Sequence, residues 1–322
     1  MYEDVRIAVI GGGTGLSTML RGIKAYTPNI TAIVTVADDG GSSGMLRNDL
    51  GILPPGDIRN CILALADAEP MLKKLFMYRF QEGSLAGHSF GNLFLAAMTG
   101  ICSGFEEAVK KTSDVLAVVG RVLPVTGEDI ALFARIENGS VIKGESNIGM
   151  PKTNNMGIER VFLEPERPPA AAGVIAAIKE ADIIVLGPGS LYTSVIPNLL
   201  VDGVADAIKE SSAAKIYVCN IMTQAGETDG YSVSDHVAAI EKHTCPGIVD
   251  FVIANNQGIP AFLEEKYSQD RCFPIVVDED RLPGGIRLVQ GNLVLIEDEY
   301  IRHNFARLAK AIMNIYRFTR MK

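Results

Sequence analysis

The run Gly11-Gly12-Gly13-Thr14-Gly15 stands between an apolar stretch at 5–10 and a helical pattern at 14–25. A strand that turns through glycines into a helix N-terminus presents bare backbone N–H groups and the positive end of the helix dipole. Without side chains in the way, a phosphate can come close. The chemistry implied is anion binding, with a nucleotide or other phosphorylated ligand as occupant. The spacing departs from two better-known loops. A G-x-G-x-x-G from Gly11 would need glycine where Leu16 stands, and no Gly-Lys-Ser/Thr follows as in a Walker A loop. The plain alternative is that the glycines serve only tight strand–helix packing.

Five further polar segments repeat this logic. Asp38-Asp39-Gly40-Gly41-Ser42-Ser43-Gly44 follows the strand-like stretch 31–37. In a doubly wound sheet this segment faces the same crevice as the first turn. Asp38 and Asp39 then either accept from ribose hydroxyls or hold a Mg²⁺ that bridges phosphate oxygens, and Ser42 and Ser43 join the ligand set. A solvated turn is the bland reading, since Asp, Gly and Ser are turn formers. Arg47 and Arg59 each offer a planar fork for phosphate, against a surface salt bridge as the alternative. Asp57, after Pro54-Pro55-Gly56, reads first as a helix cap and second as a metal ligand beside Asp38 and Asp39.

Gly87-His88-Ser89-Phe90-Gly91-Asn92 contains the G-x-S-x-G string of serine hydrolases. That motif needs a buried strand just before it, and 81–86 is loop-like. The better reading is a loop opening a helix, in which Ser89, Asn92 and His88 hydrogen-bond a ligand. After the strand-like stretch 182–186 comes Gly187-Pro188-Gly189-Ser190-Leu191-Tyr192-Thr193-Ser194, a second glycine junction suited to phosphate or sugar oxygens, with Gly187, Gly189 and Ser190 as contacts. Asn220 and Thr223 follow the stretch 215–219, and Asn256 follows 250–254, where amides can read a base edge. Tyr267 and Arg302 offer stacking and phosphate contact, although amphipathic surface positions are the simpler account of both.

Elements must position these groups. Apolar runs at 5–10, 31–37, 115–119, 182–186, 215–219, 250–254 and 275–277 read as strands. Helical patterns fall at 14–25, 57–66, 70–79, 90–100, 105–111, 170–180, 199–210, 232–242 and 298–320. Alternation of this kind predicts an α/β fold with a mostly parallel, doubly wound sheet. Glu137-Asn138-Gly139 between two strand-like runs is a hairpin signal. It places a small antiparallel insert near residues 122–165. Ser232 with Asp235 three residues on reads as a capping box. No linker or repeat divides the chain, so residues 1–322 read as a single domain.

The totals narrow the class. The chain has 322 residues, 48% hydrophobic and 21% charged, with a formal net charge of −8. That balance argues against nucleic acid as partner. Five scattered cysteines without C-x-x-C read as reduced, packed thiols, and no Cys/His cluster has zinc spacing. No apolar run approaches a bilayer span and no secretory leader is evident, which predicts a cytoplasmic protein without membrane insertion. A symmetric homo-oligomer is expected at this size.

Five strings together, 11–17, 37–44, 55–60, 87–92 and 187–192, resemble the YvcK/CofD-like family, and its bacterial YvcK branch of gluconeogenesis factors in particular. The resemblance spans most of the chain in the expected order. It implies a Rossmann-like sheet and one of two functions. YvcK-like proteins bind UDP-sugars such as UDP-N-acetylglucosamine and are linked to cell shape and envelope synthesis in gluconeogenic growth, which implies cell-envelope synthesis proteins as partners. CofD-like proteins are Mg²⁺-dependent transferases that move a phospho-lactyl-type group from a guanosine diphosphate donor to a deazaflavin. In that branch an acidic pair tends to follow a Pro-x-Thr string. Here Pro124-Val125-Thr126 is followed by Gly127-Glu128-Asp129, a departure at Gly127. NAD remains a further ligand to consider, because the first turn is dinucleotide-like.

Overall fold

Strand β1 (Ile7–Gly11), helix α1 (Gly13–Ile23) and strand β2 (Ile30–Val34) form the opening unit of the computed structural model, which describes residues 2–150 and 156–321. Five helices follow: α2 (Gly41–Leu50), α3 (Gly56–Leu65), α4 (Pro70–Met77), α5 (Phe90–Ile101) and α6 (Phe105–Val115). Strand β3 (Arg121–Pro124) precedes an insert made of β4 (Ala131–Ile136), β5 (Val141–Lys143), α7 (Glu145–Ile148) and β6 (Ile158–Glu164). Next come α8 (Val174–Glu180), β7 (Ile183–Leu186), a π-helical turn (Leu191–Val195), α9 (Ile196–Leu199), α10 (Val204–Glu210) and β8 (Ala214–Val218). The chain finishes with α11 (Val233–His243), β9 (Phe251–Asn255), α12 (Ala261–Gln269), β10 (Arg287–Gly291), the hairpin β11 (Val294–Glu297) and β12 (Tyr300–His303), and α13 (Phe305–Arg320).

Seven strands form one parallel sheet in the order β10-β9-β8-β7-β1-β2-β3. β1 lies inside the sheet next to the central β7, with Ile10 opposite Ile33 of β2 on one side and Leu186 of β7 on the other. Strands β1, β2 and β7 are buried throughout, because helices cover both faces. Each fully buried Ile, Leu or Val in them contributes about 1.5–3 kcal/mol of apolar burial. Helix α1 packs against α13 at Gly22, where a Cβ would stand 2.2 Å from the Phe305 carbonyl oxygen. The chain leaves β1 toward β2 and β3, then returns to β7 and runs outward through β8, β9 and β10. The order therefore reverses between β1 and β7, and the loops after those two strands flank the switch point.

The predicted α/β architecture is what forms, and the antiparallel insert is present as the sheet β5-β4-β6. Gly139, at φ +83, closes its hairpin, and residues 151–155 of the expected span lie outside the described residues. Several expected boundaries need correction. Residues 115–119 are not a strand. Helix α6 runs to Val115, and the strand begins at Arg121, after Gly120 (φ +88), where any Cβ would meet the Ile30 carbonyl oxygen. Residues 121–124 thus belong to the main sheet, not to the insert.

The expected strand at 275–277 makes only an isolated bridge, Ser232 with Val276. The seventh strand is β10, whose Arg287 and Gln290 suit a sheet edge and hid its signal. The helix read at 298–320 starts at Phe305, because Asn304 caps it by accepting from the Arg307 N–H. Asp298 and Glu299, both at positive φ, turn a hairpin instead. The helix read at 199–210 breaks at Gly203 (φ +74), and that read at 170–180 begins only after Gly173 (φ +84). Helices α2 and α12 had no counterpart in the sequence reading. In α2 the segment Gly41-Ser42-Ser43-Gly44 has low helix propensity and is held by tertiary contacts.

Candidate functional site

The two glycine turns meet at the switch point. The Gly187 N–H donates to the Ile10 carbonyl at 2.9 Å, and Asn198 Nδ2 donates to the Gly11 carbonyl at 3.2 Å. A Cβ on Gly15 would lie 2.9 Å from the Pro188 carbonyl oxygen, and one on Gly189 would lie 3.1 Å from that of Gly12. Tight packing therefore explains Gly12 and Gly15 in part: a Cβ on Gly12 would meet Thr35 Cγ2 at 2.6 Å. The same closeness sets α1's first turn against the Gly187-Pro188-Gly189 bend.

Between them opens a crevice of about 260 Å³. Thr14, Gly15, Gly189, Ser190, Asn220 and Thr223 line it, and Tyr267 and Arg302 close it from α12 and β12. Asn220 Nδ2 donates to the Gly189 carbonyl at 2.9 Å, and Ser190 Oγ donates to Gln224 Oε1 at 2.8 Å. Thr223 is fixed by a two-way exchange with Phe273. Tyr267 Oη accepts from the Ile301 N–H at 2.9 Å, which ties α12 to the β11–β12 hairpin. His303, also lining the crevice, is buried against the Cys219 carbonyl, and burial pulls its pKa down to about 4. It is neutral at physiological pH.

A carboxylate already sits at the first turn. Asp57 Oδ2 accepts from the Gly13 N–H at 2.6 Å. The expected cap on Asp57's own helix does not form; across 44 positions the carboxylate serves α1, whose N-cap Gly12 has no side chain. Burial, reinforced by the neighbouring charge of Asp38, raises Asp57 to about 6. Glu145, at the start of α7, is raised further, to about 9, by burial and by the charges of Asp38, Asp57, Asp39 and Glu227. Glu227 is buried and accepts from the Tyr192 N–H, Thr193 Oγ1 and Gln224 Nε2. Carboxyl groups therefore gather beside the glycine turns, with Glu145 held protonated at neutral pH.

Other candidate residues go elsewhere. Arg47 Nη2 donates to the Ile130 carbonyl at 2.6 Å and pairs with Asp129 at 2.5 Å, so it pins the insert to α2. Arg59 donates to Ser89 Oγ, to Asn92 Oδ1 at 2.8 Å and to Asn60 Oδ1 at 2.8 Å. Asn92 donates on to Ser42 Oγ at 3.1 Å, which lies 3.2 Å from His88 Nδ1. Ser42, Arg59, His88, Ser89 and Asn92 are thus brought together, as one internal polar network. Ser89 caps α5, with loop and not strand before it, so the hydrolase string lacks its setting. Ser43 Oγ accepts from the Gly56 N–H. Asn256 is exposed beyond β9 and outside the crevice lining.

The three acids considered for a metal are divided. Asp38 Oδ1 accepts from Gly40, Asp39 Oδ1 accepts from Ser146 in the insert, and Asp57 faces Gly13. Oxygen donors suit Mg²⁺, but among the described residues no three acidic, Cys or His groups are gathered to hold an ion. As they stand these side chains do not form a metal site. The sequence reading missed Glu145 and Glu227: neither sits in a glycine motif, and only the approach of the insert to the 38–39 segment makes them part of the site.

A family model described as 2-phospho-L-lactate transferase CofD matches residues 7–294. The gluconeogenesis factor of Halalkalibacterium halodurans is 48% identical over 309 residues, covering 95% of this chain and 95% of that protein. The gluconeogenesis factor of Bacillus subtilis is 45% identical over 317 residues, covering 98% and 99%. A crystal structure of a UPF0052-family protein from Bacillus halodurans matches with a TM-score of 0.93 at 47% identity, over 96% of this chain and all of that one. With a parallel sheet, a switch-point crevice and a family match across most of its length, the chain belongs to the CofD family, alongside bacterial relatives named gluconeogenesis factors.

Proposed function

We propose that the chain binds a nucleotide sugar of the UDP-N-acetylglucosamine type and acts as a cytoplasmic regulatory factor for cell shape and envelope synthesis in gluconeogenic growth. The observation that carries the binding reading is the meeting of two glycine turns at the switch point, over a crevice with hydroxyls, amides, one tyrosine and one arginine. The diphosphate lies between the 13–15 and 189–190 backbone, Arg302 adds a positive charge, and Asn220 and Tyr267 meet sugar or base. The relatives' name, gluconeogenesis factor, supports the link to gluconeogenic growth. Calorimetry against UDP-N-acetylglucosamine, UDP-glucose and NAD tests the binding. Heat with the UDP-sugars and none with NAD is expected; no heat with any of the three overturns the reading.

One observation favours a second reading, a Mg²⁺-dependent transferase acting from a guanosine diphosphate donor to a deazaflavin. The carboxyl groups of Asp38, Asp39 and Asp57 lie close enough to Glu145 to reinforce burial in holding it protonated, and the matching family model carries a transferase's description. This reading expects donor turnover that Asp39→Asn abolishes, and purified protein without turnover would count against it.

A further inference from the structure

We propose that the open edge of β10 docks an extended, acidic segment of a partner protein, which adds a further strand to the sheet. β10 ends the sheet and pairs with β9 alone. On that side the Arg287 N–H donates to the Asp250 carbonyl, and the Gly291 carbonyl accepts from the Asn256 N–H. Backbone groups alternate along a strand, so those of Leu288 and Gln290 point the other way. Among the described residues no strand meets them. A row of open donors and acceptors is what an incoming extended chain pairs with.

A groove of about 680 Å³ runs beside this edge, between β10 and α13. Its α13 wall is Arg307, Lys310, Ala311, Asn314, Ile315 and Phe318, whose spacing of three and four puts them on one helix face. Arg287 stands over the Phe318 ring at one end, with Cζ 4.9 Å from the ring centre. At the other end Arg307 Nη1 donates to the Asn292 carbonyl at 3.1 Å, and Lys310 follows three residues on. The lining between is uncharged and mostly apolar, with Leu288, Leu293, Ala311 and Ile315. Among the described residues no carboxylate lines the groove, although the chain carries a net charge of −8.

Charge and backbone together name the occupant. Cations at both ends select acids at the ends of the incoming segment, with apolar side chains between. The five residues of β10 span about 13 Å at the ~3.3 Å rise of a parallel strand, so a segment of similar length fills the groove. A small amphipathic anion would leave the outward main-chain groups of Leu288 and Gln290 unmet. The groove shares no lining residue with the switch-point crevice, so this inference does not depend on which ligand the crevice holds.

Fluorescence anisotropy of a fluorescein-labelled heptapeptide, Glu-Asp-Val-Val-Val-Asp-Glu, titrated with the full chain tests it. Saturable binding is expected, and none by the counterpart with lysine in place of each acid. The double variant Arg307→Glu, Lys310→Glu is expected to weaken binding by about tenfold or more. Gln290→Pro removes one outward N–H and leaves the β9 ladder intact, and is expected to weaken binding by a similar factor with an unchanged circular dichroism spectrum. If that variant does not fold, the peptide N-methylated at its three valines is read against the wild type in its place, and is expected not to bind. Absence of saturable binding by the acidic peptide overturns the proposal. Full affinity of the N-methylated peptide also overturns it and makes the groove a site for amphipathic anions. A wild-type dimer that Gln290→Pro dissociates would make a second copy the occupant, and would overturn it too.

Discussion

Asp57 holds the Gly13 amide, which an incoming phosphate would take in the proposed binding mode. While ionised it satisfies the Gly13 N–H and repels an anion; once protonated it no longer repels. Burial has brought its pKa up to about 6, so this change falls just below neutrality. The diphosphate of a UDP-sugar keeps its charge through that range. Affinity for UDP-N-acetylglucosamine is therefore expected to rise several-fold from about pH 7.5 to about pH 5.5. Asp57→Asn is expected to bind tightly across the range with a flat profile, and calorimetry at several pH values checks both. A wild-type profile as flat as the variant's would exclude Asp57 as the gate. The network around Asn92 calls for a different measurement. Its amide joins Arg59 to Ser42 in the interior, so Asn92→Ala strands partners on both sides. Urea unfolding is expected to show a loss of about 2–4 kcal/mol, the scale of a buried charged hydrogen bond left unmade.

Among elements, the distance between two bends matters most. A Cβ at Gly15 has no room against the Pro188 carbonyl, and that backbone cannot swing aside as a side chain can. Gly15→Ala is expected to push the bends apart and weaken nucleotide binding tenfold or more while the fold persists. Gly258→Ala, with open space around it, is expected to change stability by no more than about 0.5 kcal/mol and to leave binding alone. Both are read by calorimetry beside thermal unfolding.

These bends were legible in the sequence because glycine after an unbroken apolar run has few other meanings. So were the central strands, buried on both faces, and the capping box at Ser232 and Asp235. The edge strand β10 was not, since half its surface faces solvent and its residues read as polar. Helix α2 was hidden because its glycines and serines are held by Asp39, Gly56 and Asn92 from other parts of the chain. Arg47 and Arg59 suit phosphate forks by residue type, but charge alone does not say whether an arginine faces a ligand or, as here, a carbonyl and two amides within the protein. Arg302 reaches the crevice on a hairpin whose turn uses Asp298 and Glu299 at positive φ, residues without a glycine's signal, and Tyr267 reaches it from α12.

For the molecule as a whole, acidic charge beside the crevice ties stability to pH. Glu145 has an ordinary pKa of 4.5 and a folded value of about 9. Between those values the folded chain keeps a proton that the unfolded chain has released. The unfolded state then binds fewer protons, so stability falls as pH rises through this window. Glu145→Gln, a mimic of the neutral side chain, is expected to match the wild type near about pH 5 and to exceed it near about pH 9 in denaturant unfolding. A wild type and variant that lose stability in parallel would refute that assignment. The same charge distribution sets where an anionic ligand can lie. In the proposed binding mode the phosphates take the Gly13–Ser190 side of the crevice, under Arg302 and away from the Asp38 carboxylate.

The central claim is that the loops after β1 and β7 form one cradle for a diphosphate at the switch point of the sheet. A crystal structure with UDP-N-acetylglucosamine bound tests it most directly. The expected result is density for both phosphates between the backbone of Gly13–Gly15 and that of Gly189–Ser190, with Asp57 released from Gly13. Phosphates seated anywhere else, for example in the groove between β10 and α13, would contradict it.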